Sequence, residues 1–211
     1  AILGDFPAVQ LGFSLGDAAG LLVKPLVIFP ALALFCYISL ESSFSNWIAP
    51  YAKQVISRDF PGQKETAVDA TSQRMLSIFA ISIMVGRLLA SSIAAVETHS
   101  AIVVLILAVI AGGVVFAMTR GGAMWSALMV ACGGLAFSAI FPTIVGIAYT
   151  GSPDNFGTVF GIIFAVGLLG AVIVPKTIGN MARGMTVQKS LRLLLPFCAA
   201  LVVIALILIM L

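Results

Sequence analysis

Residues 25–47 read PLVIFPALALFCYISLESSFSNW, an apolar run broken by one charged side chain, Glu41. A helix of about 20 such residues, rising 1.5 Å each, crosses the roughly 30 Å of bilayer hydrocarbon. Five more runs of this kind follow: Arg74–Val96, Ser100–Thr119, Ala123–Tyr149, Asn155–Ile178 and Gln188–Leu211. Composition points the same way. Of the 211 residues, 61% are hydrophobic and 9% charged, whereas a water-facing domain carries roughly 25% charged residues. With a mean hydropathy of +1.18, the chain cannot cover itself against water, and lipid is the medium that tolerates its surface. The reading is an all-α integral membrane protein with six transmembrane helices, set in the cell (inner) membrane.

Residues 1–24 hold Gly4, Gly12, Gly16 and Gly20 and read as a linker or interfacial segment. Residues 25–211 read as one six-helix bundle. Its longest polar connection, 49–73, carries Lys53, Arg58, Asp59, Lys64, Glu65 and Asp69 and is expected as a solvated loop. The other connections are short, which forces successive helices to run antiparallel. Six spans put both ends on one side of the membrane. Lys53, Arg58, Lys64, Arg120, Arg183 and Lys189 gather on the opposite side, and the positive-inside rule makes that side cytoplasmic. Ala1 and Leu211 read as interior positions of a longer chain.

Several functions are not expected. Cys36, Cys132 and Cys198 each sit in an apolar run, without metal-ligand spacing to one another or to His99, and read as small buried hydrophobes. No metal and no cofactor is indicated. A net charge of +3 that is scattered along the chain does not suggest nucleic acid. His-Glu-x-x-His, Gly-x-Ser-x-Gly, a phosphate-binding loop and paired intramembrane acids are all lacking, so an enzyme is not expected.

Ionisable groups inside spans carry the information, because they are costly there. Glu41 lies roughly 24 Å along the first span, where a carboxylate facing a water-filled cavity would bind a polar solute or a proton. Tyr37, Glu41 and Phe44 share a helical face, a stripe that suits a sugar-like ligand. Arg87, in the second span, reads as gating or structural. With Glu41 roughly 24 Å from the start of its span and Arg87 roughly 20 Å from the start of the next, antiparallel spans across a roughly 30 Å core leave the two backbones roughly 14 Å apart along the membrane normal, so a direct pair is not expected. Lys176 and Arg192 lie near span ends and read as snorkelling. Pro30, Pro142 and Pro175 mark bendable helices, and Gly157-x-x-x-Gly161, followed by Gly167 and Gly170, gives the fifth span a smooth packing face. The six spans divide into three plus three, a transporter habit.

Three stretches resemble the C-terminal half of the major facilitator superfamily, notably its fucose–galactose–glucose proton symporter group. They are Tyr37–Glu41 continuing to Ser45–Tyr51, then Gly86-Arg87-Leu88, then Gly133–Ala136 through Ile140–Thr143 with Gly157–Gly161. The resemblance implies a major facilitator half-bundle that packs against a homologous N-terminal six-helix half absent from this chain. It also implies a secondary transporter that moves a small polar solute, a sugar, by alternating access with proton coupling. Cavity-facing residues implied are Tyr37, Glu41, Phe44, Asn46 and Trp47 on the first span, Ser138, Phe141 and Pro142 on the fourth, and Phe160 and Phe164 on the fifth. It places both termini in the cytoplasm, the reverse of the charge count. The Asp-Arg loop common after the second helix of such a half is replaced by Ala95-Val96-Glu97-Thr98-His99. The competing reading is a non-transporting membrane subunit or receptor.

Overall fold

The computed structural model describes residues 20, 21, 23–93, 96 and 98–211. The linker reading falls mostly on residues 1–19, outside that range, as does Glu97. The described residues form helices α1 (Pro25–Asp59), α2 (Glu65–Ser91), α3 (Ser100–Met118), α4 (Ala123–Ser138), α5 (Ile140–Gly151), α6 (Phe156–Ala182), α7 (Val187–Ser190) and α8 (Leu194–Met210). Three-residue 3₁₀ turns precede α6 and α8, at Pro153–Asn155 and Leu191–Leu193. They make six membrane-length units: α1, α2, α3, α4 with α5, the first 3₁₀ turn with α6, and α7 through α8. All-apolar outward rows such as Ile81, Met84, Val85 and Leu88 on α2, and Ile102, Ile106 and Val109 on α3, are exposed. Hydrocarbon accepts such rows and water does not. The chain is a multi-pass integral membrane protein.

The expected loop at 49–73 is mostly helix. The first helix runs on to Asp59 and the second begins at Glu65, leaving residues 60–64 as the whole connection. Hydropathy marks where lipid ends, which is not where a helix must end. At 35 residues, α1 is roughly 50 Å long, so its last turns stand clear of the hydrocarbon. There Lys53 bridges to Glu65 at 3.2 Å and Asp69 at 2.8 Å, stapling the protruding ends of α1 and α2. Buried Val55, Ile56 and Val68 continue the core between them.

The packing order reveals the repeat. α1 lies chiefly against α6, and α2 against α4; α8 packs on α1 and on α3, and α3 packs on α4 and α5. Exchanging spans one and four, two and five, and three and six maps this set of contacts onto itself: one–five becomes four–two, and one–six becomes four–three. The chain therefore folds as a 3+3 repeat of spans. Spans one and four occupy its middle and bury most of their length, while the others keep broad exposed faces.

The symmetry-equivalent interfaces are closed by glycine. A Cβ on Gly134 of α4 would stand 2.5 Å from the Ser82 Cβ and 2.7 Å from the Phe79 carbonyl oxygen of α2. A Cβ on Gly170 of α6 would stand 2.6 Å from the Phe35 carbonyl oxygen of α1. Backbone meets backbone at both, the close approach that holds membrane helices together where no hydrophobic force acts between them. The smooth face of the fifth span is thus at Gly167 and Gly170. Gly157 and Gly161, expected to share it, have open space where a side chain would go, because they lie on the opposite face of α6 from the buried row Val159, Ile163, Gly167 and Gly170.

The fourth span is two helices, broken at Ala139. Pro142 has no N–H to give the Ser138 carbonyl, and its ring crowds that oxygen. The hydroxyls of Ser138 and Thr143 donate to Leu135 O (2.7 Å) and Ala139 O (2.6 Å), filling carbonyls around the break. Pro30, Pro50 and Pro175 lie within unbroken helices.

A polar brace ties four spans together at the end that carries residues 60–64. Asp59 Oδ2 accepts from the Ala123 amide at 2.7 Å, capping α4 where its free N–H groups and dipole favour a carboxylate. Arg58 Nε donates to Asp59 at 2.8 Å, and its Nη1 to Gln188 at 2.9 Å. Gln188 Nε2 donates to the carbonyls of Met118 (2.9 Å) and Gly121 (3.0 Å), and the Tyr51 hydroxyl donates to Met118 O at 2.8 Å. The last carbonyl of α3, that of Met118, is satisfied this way.

Gly134→Ala and Gly170→Ala should each destabilise the bundle by about 1–3 kcal/mol, the cost of overpacking, whereas Gly157→Ala and Gly161→Ala should be neutral. Heating the detergent-solubilised protein with a thiol-reactive dye reads this, since Cys36 and Cys198 are buried until the bundle opens. Equal behaviour of all four variants would contradict the packing described.

Candidate functional site

Along α1, four polar side chains between Ser39 and Asn46 fold back on their own helix, while the buried Ser43 hydroxyl has no hydrogen-bond partner. Ser39 donates to Phe35 O (2.7 Å), Ser42 to Ile38 O (2.5 Å), Ser45 to Glu41 O (3.0 Å) and Asn46 to Ser42 O (2.8 Å). Each i−4 bond meets a need that lipid cannot. Glu41 has no such local solution. Its Oε1 lies 3.2 Å from Arg87 Nη2 on α2. The expectation against a direct pair is thereby corrected, and for the reason that removed the long loop. Counted from the true helix ends at Asp59 and Glu65, the two residues differ in height by only about 6 Å.

The pair is partly open, with side-chain exposures of 27% for Glu41 and 47% for Arg87. It is also incomplete. The contact joins one carboxylate oxygen to one guanidinium nitrogen, and among the described residues the other donors and acceptors of both groups have no hydrogen-bond partner. One turn below Glu41, Tyr37 is fully buried. Its hydroxyl stands near both charges but falls short of hydrogen-bond geometry with either.

Aromatic rings surround this point in an unbroken succession. Tyr37 meets Phe141 at 6.1 Å and Phe137 edge-on at 6.5 Å. Phe137 meets Phe44 at 4.8 Å, and Phe44 meets Phe79 at 5.6 Å. In the other direction Phe141 meets Phe164 edge-on at 6.4 Å, and Phe164 stacks on Phe160 at 5.5 Å. Tyr37, Phe44 and Ser138, expected to face a cavity, are buried inside the half. Phe44 is core between spans one, two and four, and the Ser138 hydroxyl is occupied by Leu135 O. Trp47 spends its indole N–H on the Pro175 carbonyl at 3.0 Å, bracing α1 to α6. Glu41, Arg87, Asn46 and Pro142 reach the open surface, with Phe141, Phe160 and Phe164 half-buried. Phe79 and Phe137 were not singled out in the sequence; the i, i+4 spacing of Phe137 and Phe141 was the available signal. Among the described residues, no group of three His, Cys, Asp or Glu side chains could hold a metal ion.

No family model matches the sequence, and no curated protein matches it. Solved structures do match. A variant of the E. coli fucose:proton symporter FucP is 20% identical with a TM-score of 0.71, over 98% of this chain and 50% of that one. A structure of FucP, a major facilitator superfamily transporter, in the outward conformation gives 20% identity and a TM-score of 0.72 at the same coverage. The chain has the fold of half a major facilitator transporter. It spans about half the length of the solved transporters it resembles.

A partly exposed ion pair contributes little to stability. A double-mutant cycle with Glu41→Gln and Arg87→Gln should therefore give a coupling below about 1 kcal/mol in the same thermal assay. A coupling of several kcal/mol would make the pair a structural strut.

Proposed function

We propose that this chain is the C-terminal half of a secondary active transporter, and that it moves a small polar solute across the membrane by alternating access. The solute is a sugar, the transport is coupled to protons, and the membrane is the cell (inner) membrane. The observation that carries the reading is the Glu41–Arg87 pair. It is an open, half-satisfied pair of charges inside a membrane bundle, at a site ringed by aromatic side chains, on a half whose fold is shared with a fucose:proton symporter. Charged groups in spans face a bundle interior or a water-filled path. In this chain they sit on an exposed face, so the interior they serve is completed by another body, a homologous N-terminal half. Unused donors on Arg87 and the second oxygen of Glu41 suit hydroxyl groups, and the half-buried rings of Phe141 and Phe164 suit the apolar face of a sugar ring. No catalytic role is proposed.

The broken fourth span and the close-packed one–five and two–four interfaces support a half that moves as a body around a central site. Substituting Glu41 by Gln or by Ala in the full-length transporter should reduce uptake of labelled fucose, galactose or glucose at least tenfold, with membrane insertion unchanged by immunoblot. Normal uptake by both variants would remove Glu41 from the mechanism.

A further inference from the structure

We propose that the cleft between α2 and the start of α4 is a lipid site: Arg74 takes the phosphate of an anionic phospholipid, and an acyl chain of that lipid runs inward along Ile78, Met124 and Ala127. The site is separate from the solute site and does not depend on which solute is carried.

The cleft follows from the way the two helices cross. α2 and α4 approach closest where Gly134 meets Phe79 and Ser82, and again where Gly86 meets Ser138. Toward residues 60–64, the space between them is a cleft of about 270 Å³. That is below the roughly 300–1,000 Å³ of pockets that bury a small solute. Gln63, Thr71 and Arg74 line its outer end, and Ile78, Met124 and Ala127 line it farther in. Met124 is 83% exposed and Ile78 is exposed too, so the cleft opens sideways to the bilayer.

Arg74 stands at headgroup level. It opens the apolar run of the second span, and from it to the end of α2 at Ser91 is about 26 Å, close to the roughly 30 Å of hydrocarbon. Trp125, half exposed in the first turn of α4, marks the same level, as interfacial tryptophans do. At about 100° per residue, Arg74 lies roughly 140° round α2 from Arg87, on the flank turned away from the solute site.

The charge of Arg74 is unanswered within the chain. Asp59 is taken by Arg58 and the Ala123 amide, and Glu65 and Asp69 are both taken by Lys53. Among the described residues, Arg74 and the side chain of Gln63 have no ion-pair or hydrogen-bond partner. Thr71 spends its hydroxyl proton on Ala67 O at 2.9 Å, so the donors offered to a ligand are the guanidinium fork and the Gln63 amide. A fork of this shape matches two oxygens of a phosphate. The apolar floor beside it takes a hydrocarbon chain, which a soluble anion lacks. A zwitterionic headgroup sets its own cation against the guanidinium, so an anionic one is preferred.

The test offers the purified full-length protein equal amounts of phosphatidylglycerol and phosphatidylcholine in detergent and counts bound lipid by native mass spectrometry. The wild type should retain phosphatidylglycerol preferentially. Arg74→Gln should weaken that binding about fivefold, the factor that one basic side chain is worth at an anionic surface. Met124→Glu, which puts a like charge in the cleft, should weaken it as well, and Arg74→Lys should lose less than Arg74→Gln. Arg120→Gln removes a cation at the same end but outside the cleft and should change nothing. All four positions are exposed or at the surface, so thermal midpoints should match the wild type. Undiminished binding by Arg74→Gln overturns the proposal. So does an equal loss in Arg120→Gln, which would mean diffuse attraction, or displacement of the lipid by millimolar inorganic phosphate, which would make the site one for a free anion. Uptake is not measured, so failure here leaves the transport reading intact, and failed uptake leaves the lipid site standing.

Discussion

Hydrocarbon offers no hydrogen bonds, so every polar atom in the six spans has to be answered from within the chain. Much of this structure is a set of such answers. Serines 39, 42 and 45 fold back on the helix carrying them. Ser138 and Thr143 fill carbonyls around the break that Pro142 forces, and Trp47 finds a carbonyl on α6. At the end where α3 stops and α4 begins, Arg58, Asp59 and Gln188 satisfy termini that would otherwise be bare. Among the described residues, two groups are answered only in part, Glu41 and Arg87, and two buried hydroxyls on α1, those of Tyr37 and Ser43, have no hydrogen-bond partner.

The same constraint explains how the bundle is held together. With apolar surface on every side, helices are held by close packing instead of by exclusion of water. Gly134 of α4 against α2 and Gly170 of α6 against α1 bring backbones together at two interfaces related by the internal repeat. The brace through Asp59 fixes the start of α4, while the fourth span is interrupted at Ala139. A rigid frame with one weak point in a central helix is the mechanical counterpart of an incompletely satisfied charge pair on its face.

Much of the architecture was legible from hydropathy. Six spans, their order and their antiparallel arrangement followed from apolar run lengths, because the bilayer imposes a minimum length that few other environments require. Glu41 and Arg87 were conspicuous for the complementary reason, that a charge in such a run is expensive. Helix ends were not legible. The polar stretch 49–73 looks like a loop because polarity reports exposure to water, and a protruding helix is as exposed as a loop. That one misreading carried the next, since the heights of Glu41 and Arg87 were measured from the wrong ends.

What the sequence by itself determined is therefore the medium, the number of crossings and the identity of the rare charges, all properties that depend on composition along a single line. What only the tertiary structure decided is which helix faces which. The two-fold pattern of contacts, the burial of Tyr37, Phe44 and Ser138, the close packing at Gly167 and Gly170 rather than Gly157 and Gly161, and the meeting of Glu41 with Arg87 all depend on helix rotation and height. Those quantities are set by side-chain packing between segments distant in sequence, and a chain whose spans are apolar on nearly every face gives little periodic signal from which to read them.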